Sequence, residues 1–344
     1  MGVQITELLP KHKAKLEDFS QKVVAIDAAN HLYQFLTTIR APDGAFFTDS
    51  HGNVTSHLIG LFTRTTHLMK LGIKPAYIFD GEVPKLKKLE IKRRAEAKEE
   101  AAEKYAEAEK KGDIEEMKRY AARSTRLTKE MIADAKEVIE ALGLPVVQGL
   151  SEGEAQAAHI VARKDAYAIA SQDADSLLFG ATRVVRNLSI EGRRKQNGVL
   201  GYGRVEPELI LLEEVRSSLG ITQQQLICLA MLVGTDYGTG GIKGIGPKTA
   251  LKLVKEQKIS EKIFAAAGWG KHFSYPWQEV LELFEHPKVT DDYRLEFRQI
   301  NTGKLVRILC EKHDFSRQRV EKQLEELETS TATNKQKGLG DFFS

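Results

Sequence analysis

One short stretch decides the fold of this chain: Ala168-Ile169-Ala170-Ser171-Gln172-Asp173-Ala174-Asp175. The apolar run from Tyr167 to Ala170 predicts a buried strand, and two aspartates spaced two apart follow it. On an extended chain this spacing puts both carboxylates on the same side, where they repel each other. A divalent cation such as Mg²⁺ or Mn²⁺, which prefers oxygen ligands, would offset that repulsion. For a single pair, a surface turn or a helix cap is the favoured explanation, so a metal site requires more acids at equivalent places.

Two further apolar runs also end in an aspartate. Lys22 to Ile26 is followed by Asp27, and Ala76 to Phe79 is followed by Asp80. In open α/β sheets, ligands bind outside the carboxyl ends of the strands. Three acids at three such ends would converge on one place, whereas independent surface turns would not. The sequence therefore predicts an α/β fold with a mostly parallel central sheet, helices on both faces and an acidic site at the strand ends.

The composition indicates a soluble globular protein. The 344 residues suffice for a large core and more than one subdomain, and 42% are hydrophobic and 29% charged. The net charge is only +3, so any nucleic-acid site must come from local basic patches. Cys228 and Cys310 are too few for a disulfide framework or a cysteine zinc site. No apolar run reaches the length of a membrane span and no secretory signal opens the chain, which predicts an intracellular protein with no membrane partner.

Helices connect the predicted strands in β-α-α-β order. Apolar residues at helical spacing predict helices over Ala28–Ile39 and Thr55–Leu71. Later in the chain we expect strands at Leu144–Val147 and Arg183–Leu188 and a core helix at Leu226–Val233.

From Lys85 to Leu142 the chain is dominated by Lys, Arg, Glu and Ala, with no proline and one glycine, Gly112. This pattern predicts a charged helical hairpin with its corner at Gly112. Lys87 and Arg94 are seven residues apart, so they lie on one helix face just after Asp80. We interpret them as a basic pair that holds a phosphate beside the acids, and a solvated hairpin is the simpler alternative.

Two glutamates follow the strand predicted at 144–147. Ser151-Glu152-Gly153-Glu154 fits a capping box, which offers Glu154 a structural role but leaves Glu152 without one. Because both follow a strand, as Asp27 and Asp80 do, we favour metal binding over capping.

A glycine turn, Gly244-Ile245-Gly246-Pro247-Lys248-Thr249-Ala250, leads into a helix expected to run through Lys255. Such a turn exposes backbone N–H groups and the positive end of a helix dipole, which suits a phosphate. Its spacing is not that of a P-loop, and an ordinary corner between two helices is the alternative.

The C-terminal segment from Glu328 to Gly338 is rich in Thr, Lys and Gln, and we expect it to be disordered. Leu339, Phe342 and Phe343 follow with no core to enter. Their spacing puts them on one face of a helical turn, which is typical of a docking peptide that folds on a partner.

Six motifs together resemble the structure-specific 5′ nucleases. They are Val-Ala-Ile-Asp-Ala, Phe-Asp-Gly, Ser-Glu-Gly-Glu-Ala, Ser-Gln-Asp-Ala-Asp, Leu-Val-Gly-Thr-Asp-Tyr and Gly-Ile-Gly-Pro-Lys-Thr-Ala. Their order, the length and the tail are most similar to flap endonucleases of the archaeal and eukaryotic type. The resemblance covers essentially the whole chain. It implies a 5′ nuclease or PIN-like fold with a helical arch and a helix–hairpin–helix-type DNA-binding element.

The resemblance implies two Mg²⁺ ions per subunit, which Mn²⁺ can replace, and it assigns seven acids to them. These acids are Asp27, Asp80, Glu152, Glu154, Asp173, Asp175 and Asp236. Asp236 enters through the resemblance alone, because no predicted strand end places it with the others. Lys87 and Arg94 match the family's phosphate-contacting catalytic pair, with Arg93 as an adjacent alternative.

Contacts with branched DNA are also implied. The charged hairpin is similar to the arch through which a single-stranded 5′ flap passes, and Tyr33 matches a base-stacking tyrosine. The region near Thr55 and Phe315 resembles a pocket for a one-nucleotide 3′ flap. The other implied DNA contacts are Gly2, Arg40, Lys87, Arg93, Arg94, Glu152, Gly234, Asp236, Gly244, Gly246, Lys248 and Thr249.

The same resemblance gives the domain plan and a protein partner. Gln336, Leu339, Phe342 and Phe343 resemble the box that binds the sliding clamp, proliferating cell nuclear antigen. A monomer in the cytoplasm of an archaeon, or in the nucleus of a eukaryote, is expected. The expected parts are the nuclease domain (1–98 and 116–257, with the DNA-binding element at 243–255), the arch (85–142), a C-terminal helical region (258–327) and a tail (328–344) with the clamp box at 336–344.

The expected reaction is hydrolysis of a phosphodiester bond at a 5′ flap, with 5′–3′ exonuclease activity, in Okazaki fragment maturation and repair. Two Mg²⁺ ions roughly 4 Å apart would activate water and stabilise the leaving oxygen, while Lys87 and Arg94 would offset charge on the phosphate. Three alternatives stay open. The first is a sister nuclease that prefers bubbles, nicks or four-way junctions. The second is a non-catalytic junction-binding clamp adaptor, which would not need the acids. The third is a phosphatase with Asp27 as nucleophile, which would lack its usual second aspartate because position 29 is alanine.

Overall fold

A central sheet with helices on both faces organises the chain, in a computed structural model that describes residues 5–121, 123–189, 193–195 and 202–340. Its strands are β1 (His12–Lys13), β2 (Val23–Asp27), β3 (Lys74–Phe79), β4 (Val146–Gln148), β5 (Ala168–Ala170), β6 (Arg183–Arg186), β7 (Arg193–Lys195), β8 (Tyr202–Arg204) and β9 (Glu208–Leu211).

Helices fill most of the connections between these strands. They are α1 (Ala28–Thr38), α2 (Ser56–Lys70), α3 (Lys87–Lys111), α4 (Ile114–Ala121), α5 (Lys129–Ala141), α6 (Gly153–Ala162), α7 (Asp175–Leu178), α8 (Leu212–Leu219), α9 (Gln223–Val233), α10 (Pro247–Gln257), α11 (Ser260–Ala267), α12 (Trp277–Glu285), α13 (Thr302–Val306) and α14 (Arg317–Gly340). A π-helical segment, Arg307–Lys312, follows α13. None of the helices in the described part of the chain has the length and apolar character needed to cross a membrane.

The seven-stranded sheet has the order β1-β9-β6-β5-β2-β3-β4, and β7 and β8 form a separate hairpin. The five strands from β6 to β4 run parallel, as the sequence predicted. β9 pairs antiparallel with β6 and with β1, and this antiparallel edge was not predicted. Because β2, β3, β4 and β5 all run in the same direction, the acids that follow them lie at one end of the sheet.

Apolar side chains cover the sheet on both faces, as a parallel sheet requires. In β2, Val24 and Ile26 belong to one buried cluster with α1, α2, α5 and α14, whereas Ala25 belongs to a second cluster with α6, α8 and α9. This alternation follows from the period of two in a strand. The core therefore fixes the direction and the register of the strand that ends at Asp27.

The predicted charged hairpin is present. α3 ends at Gly112, whose φ of 67° is the left-handed conformation that glycine adopts at low cost, and α4 then packs back on α3. Ala101, Ala108 and Ala121 are buried, so small side chains allow the two helices to pack although large apolar residues are few. The hairpin begins at Lys87, within reach of the strand ends.

The predicted disorder at Glu328–Gly338 is wrong for the backbone, because α14 continues through Gly340. Val320, Leu324 and Leu327 are buried, and α14 packs against α2. From Arg317 onward no proline or glycine occurs before Gly338, so a helix nucleated by this packing can propagate at little cost.

Gly81 marks a close approach of two backbones beside Asp80. Its N–H donates to the carbonyl of Ser151 at 2.5 Å, and a Cβ at position 81 would lie nearer to the Gly149 carbonyl than real Cβ atoms come. We therefore expect Gly81→Ala to lower the free energy of unfolding by about 1–3 kcal/mol through overpacking. A Cβ at Gly270 would meet nothing within 4 Å, so Gly270→Ala is the matched control. Equal urea midpoints for the two variants would contradict this prediction.

Candidate active site

Seven acids lie after the carboxyl ends of parallel strands or beside them. Asp27 ends β2 and Asp80 follows β3, while the other five lie in the segments after β4, β5 and α9. The side chain of Asp27 also accepts the N–H of Asn30 at 3.1 Å and so caps α1. The N–H of Gly153 donates to Asp80 at 2.7 Å, which brings the N-terminus of α6, with Glu152 and Glu154, to the end of β3.

Electrostatic coupling shows that five of these acids are close neighbours. Burial raises the pKa of Asp27 to about 7, with further contributions from the charges of Asp80 and Asp173. Burial also raises the pKa of Glu154 well above its ordinary value, and the charge of Asp175 is the next cause. Asp27 and Asp173 act on Glu154 in the same direction. Like charges are therefore crowded at this end of the sheet.

Glu152 and Asp236 join the group through the base of α3. The ammonium of Lys87 donates to Glu152 and lies 3.1 Å from Asp236, and the guanidinium of Arg94 donates to Asp236 at 2.5 Å. Burial acts to lower the pKa of Lys87, but Glu152 and Asp236 raise it overall. The structure thus brings the seven acids and the two basic residues to the same end of the sheet.

The structure separates Arg94 from Arg93. Arg94 reaches Asp236, whereas the side chain of Arg93 is 61% exposed and bonds to Glu90 on its own helix. We therefore favour Arg94 as the partner of Lys87. Glu90 itself was not found from the sequence, because one acid among the many of α3 has no distinguishing spacing.

Three more polar residues at the site were missed. Asn30 donates its side-chain amide to Asp173 at 3.1 Å, Ser171 donates to Glu154 at 3.1 Å, and Tyr237 donates its hydroxyl to Glu152. Asn30 lies three residues after Asp27, and Tyr237 is adjacent to Asp236. Closeness along the chain to a predicted metal ligand was thus the sequence signal that could have identified Asn30 and Tyr237.

The capping-box alternative for Glu154 is wrong. Glu152 stands at the N-cap of α6 without a side-chain cap bond, and Ser151 donates its hydroxyl to the carbonyl of Glu82 at 3.0 Å. Glu154 instead accepts from Ser171. The structural role that competed with metal binding is therefore absent at Glu154.

The donor set fits a divalent cation that prefers oxygen. Crowded, partly buried carboxylates raise one another's pKa, and Lys87 and Arg94 already stand among them as compensating cations. Within the described residues, no three His, Cys, Asp or Glu side chains stand in a metal-holding arrangement. Binding of ions would therefore require carboxylates to exchange some of these hydrogen bonds for metal coordination.

The other predicted DNA contacts lie at three places: the turn before α10, the end of α9 and helix α1. Gly246 caps α10, and Gly244, Lys248 and Thr249 are exposed beside it, as a phosphate site requires. Gly234, with a φ of 123°, ends α9 just before Asp236. The phenol of Tyr33 is half-buried, and the ammonium of Lys98 donates to its hydroxyl and lies 4.4 Å from its ring centroid.

Arg40 differs from the expectation of an open DNA contact. Its guanidinium donates to the carbonyls of Leu36, Gly44 and Ala121 and to the hydroxyl of Thr125. It thereby ties the end of α1 to the end of α4. Any contact of Arg40 with DNA stays a prediction.

Several predictions lie outside the site. Thr55 is buried at the start of α2, and Phe315 packs at the edge of the core on the same face of the sheet. Gln336 and Leu339 lie in the last turns of α14. Gly2, Phe342 and Phe343 lie outside the described residues.

Comparison with known proteins defines the class first. Residues 1–101 match the XPG N-terminal domain and residues 143–236 match the XPG I-region. The catalytic core of Rad2 in complex with DNA substrate shares the fold, with a TM-score of 0.68, 22% identity, and coverage of 94% of this chain and 97% of that one. The two domain matches together span more than half of the chain and place it in the XPG class, and the likeness to Rad2 shows the shared fold.

Full-length relatives are more specific. The chain is 52% identical to flap endonuclease 1 of Thermococcus onnurineus and 50% identical to that of Pyrococcus furiosus, over 100% of this chain and 99% of each relative. Flap endonuclease-1 from Methanococcus jannaschii has a TM-score of 0.76 and 40% identity, covering 97% of this chain and all of that one. The chain therefore belongs to the flap endonuclease family.

Proposed function

We propose that this chain is a structure-specific 5′ flap endonuclease with 5′–3′ exonuclease activity, acting on branched DNA in Okazaki fragment maturation and repair. The family match supports nuclease chemistry, and Mg²⁺ is the proposed metal, with Mn²⁺ as a substitute. The observation that carries the proposal is the site itself. Seven carboxylates meet two cationic side chains from the base of an exposed helical hairpin.

Carboxylate oxygens from all seven acids would hold two metal ions, some directly and some through water. Bound ions of this kind activate water and stabilise the leaving oxygen in phosphodiester hydrolysis. The chain's own residues prepare the site. Asn30, Ser171 and Tyr237 each hold one carboxylate by a hydrogen bond, which reduces the reorganisation needed on binding.

Lys87 and Arg94 supply positive charge for the phosphate. In the structure both cations are satisfied by acids, Lys87 by Glu152 and Asp236, and Arg94 by Asp236. Bound metal ions would compensate the charge of those acids, which would leave Lys87 and Arg94 free to contact phosphate oxygens. This arrangement places the positive groups where negative charge develops in the transition state.

The remaining DNA contacts follow from exposed groups around the site. The α3–α4 hairpin would guide the single-stranded flap, and the exposed N-terminus of α10 with Lys248 and Thr249 would hold a duplex phosphate. Tyr33, next to the site on α1, would stack on a base. A monomer in the cytoplasm of an archaeon is proposed, in line with its archaeal relatives.

A substrate panel tests this function. The intact chain is incubated with end-labelled 5′-flap, nicked, bubble and four-way DNA in Mg²⁺, with EDTA as the control. We expect the flap to be cut fastest, near its junction, and no cutting in EDTA. Faster cutting of bubbles or four-way junctions would favour a sister nuclease. Binding of the flap without cutting would favour a non-catalytic adaptor.

The C-terminal box gives a separate prediction. We propose that residues 336–344 bind the sliding clamp, with Phe342 and Phe343 as anchors, because an aliphatic residue and two aromatics at this spacing are typical of a docking peptide. Deletion of 336–344 is expected to leave flap cleavage unchanged without the clamp, since every acid of the site lies before residue 240. The deletion should abolish stimulation by the clamp and co-migration with it on gel filtration.

Point variants separate the box from the tail as a whole. Phe342→Ala with Phe343→Ala should reproduce the deletion, whereas Lys337→Ala, at an intervening position of the box, should keep the clamp. Unchanged clamp affinity in the deleted chain would show that the main docking site lies elsewhere.

A further inference from the structure

Glu90 occupies an unusual place on the charged hairpin. Among the α3 side chains that the structure describes, it is the buried charged one, with 7% of its side chain exposed. The other carboxylates of this helix are solvated, such as Glu100, which pairs with Lys104 and is 66% exposed. Burial of a carboxylate is costly unless it is fully bonded.

Three hydrogen bonds from two arginines satisfy this carboxylate. Arg93 donates through Nε at 2.9 Å and Nη2 at 3.0 Å, and Arg94 donates through Nε at 2.7 Å. Although burial acts to raise the pKa of Glu90, these bonds hold it at about 2, so the group is ionised near neutral pH.

The geometry of Arg94 explains what these bonds do. Its Nε is fixed on Glu90 while its Nη2 donates to Asp236 at 2.5 Å. The guanidinium is therefore held at both edges, with its outer nitrogen directed into the acid cluster. Arg93 and Arg94 are adjacent cations, and the single negative charge of Glu90 between them offsets their repulsion.

An ordinary helix ion pair does not account for this arrangement. A solvated pair at i, i+4 contributes only about 0.3–0.5 kcal/mol and needs no burial. Glu90 instead holds Arg94, whose other end bridges from α3 to Asp236. Loss of its carboxylate would free Arg94 to adopt solvated rotamers without removing any cation.

We propose that Glu90 is a positioning residue for cleavage, which directs Arg94 into the active site. This inference rests on the proposed nuclease function. The proposal separates Glu90 from the acids that would hold metal, because the carboxylate of Glu90 is occupied by Arg93 and Arg94.

The kinetic test compares Glu90→Gln with Glu100→Gln, a matched change at a solvated carboxylate of the same helix. Glu90→Gln is expected to slow single-turnover flap cleavage by about 10-fold or more. The Kd for flap DNA should be unchanged or tighter, because the variant carries one negative charge fewer. The double variant Glu90→Gln/Arg94→Ala should be no slower than Arg94→Ala, since Glu90 acts through Arg94.

Two results would overturn the proposal. One is a Glu90→Gln rate equal to that of Glu100→Gln. The other is full additivity with Arg94→Ala. If Glu90→Gln does not fold, Glu90→Asp is used instead. It should likewise slow cleavage without weakening the binding of flap DNA.

A second readout does not depend on cleavage. In nuclear magnetic resonance spectra, the Arg94 Nε–H signal can be identified by its loss in Arg94→Lys. This proton should be protected from solvent exchange in the wild type and in Glu100→Gln, both of which retain Glu90. It should lose that protection in Glu90→Gln, and retained protection would overturn the proposal. If the wild type cuts no flap DNA, the proposed function is refuted. The exchange measurement would still test whether Glu90 positions Arg94, because it does not require cleavage.

Discussion

An Asp173→Ala variant is expected to lose flap cleavage by at least about 10³-fold while it still binds flap DNA. Asp173 accepts a hydrogen bond from Asn30, and its charge contributes to the raised pKa of both Asp27 and Glu154. It therefore lies at the centre of the acid cluster. Removal of a ligand there should remove metal-dependent chemistry, whereas the phosphate contacts of the hairpin and α10 remain.

The measurement is a single-turnover rate in Mg²⁺ together with a Kd from fluorescence anisotropy in Ca²⁺. Asp165→Ala is the control, because Asp165 lies before β5, at the opposite end of the same strand, and pairs with Arg163 at 3.4 Å. We expect the control to cut at the wild-type rate. Cleavage by Asp173→Ala at that rate would rule out the assigned metal site.

Lys87→Ala and Arg94→Ala should each slow cleavage far more than they weaken DNA binding. Groups that stabilise transition-state charge are worth ~2–4 kcal/mol, which corresponds to roughly 30- to 1,000-fold in rate. Lys87 and Arg94 both contact Asp236. Their removal thus takes charge from the reacting centre rather than from the DNA-binding surface at large.

Single-turnover rates and Kd values for both variants measure this split. Lys104→Ala, on the same helix but paired with the solvated Glu100, is the control for a general loss of charge. Arg93→Ala should be less affected than Arg94→Ala, because the exposed side chain of Arg93 bonds to Glu90 on its own helix whereas Arg94 reaches Asp236. Rates within a factor of about two of wild type for Lys87→Ala would indicate a solvated helix face.

The centre of the site could be predicted because it depends on strand direction. Apolar runs ending at Asp27, Asp80 and Asp173 predicted parallel strands, and parallel strands necessarily bring their ends together. The structure confirms these strands and their order around β2. The hairpin corner at Gly112 and the start of α10 at Pro247 could also be predicted, because such patterns act within a few residues.

The parts that could not be predicted depend on distant partners. Asn30 reaches Asp173 across 143 residues, and Arg94 reaches Asp236 across 142. No local pattern encodes such pairs, so the sequence could not assign Asp236 or choose between Arg93 and Arg94. The continuation of α14 beyond the helical region predicted at 258–327 was missed, because this helix is nucleated by packing of its first turns on α2.

The number of divalent ions bound by the intact chain tests the central claim most directly. The electron paramagnetic resonance signal of free Mn²⁺ is recorded during titration of the protein with flap DNA present. The account predicts two ions per chain at saturation, displaced by excess Mg²⁺, and fewer in Asp173→Ala but not in Asp165→Ala. Flap cleavage at the full wild-type rate with no bound ion, in EDTA, would contradict it.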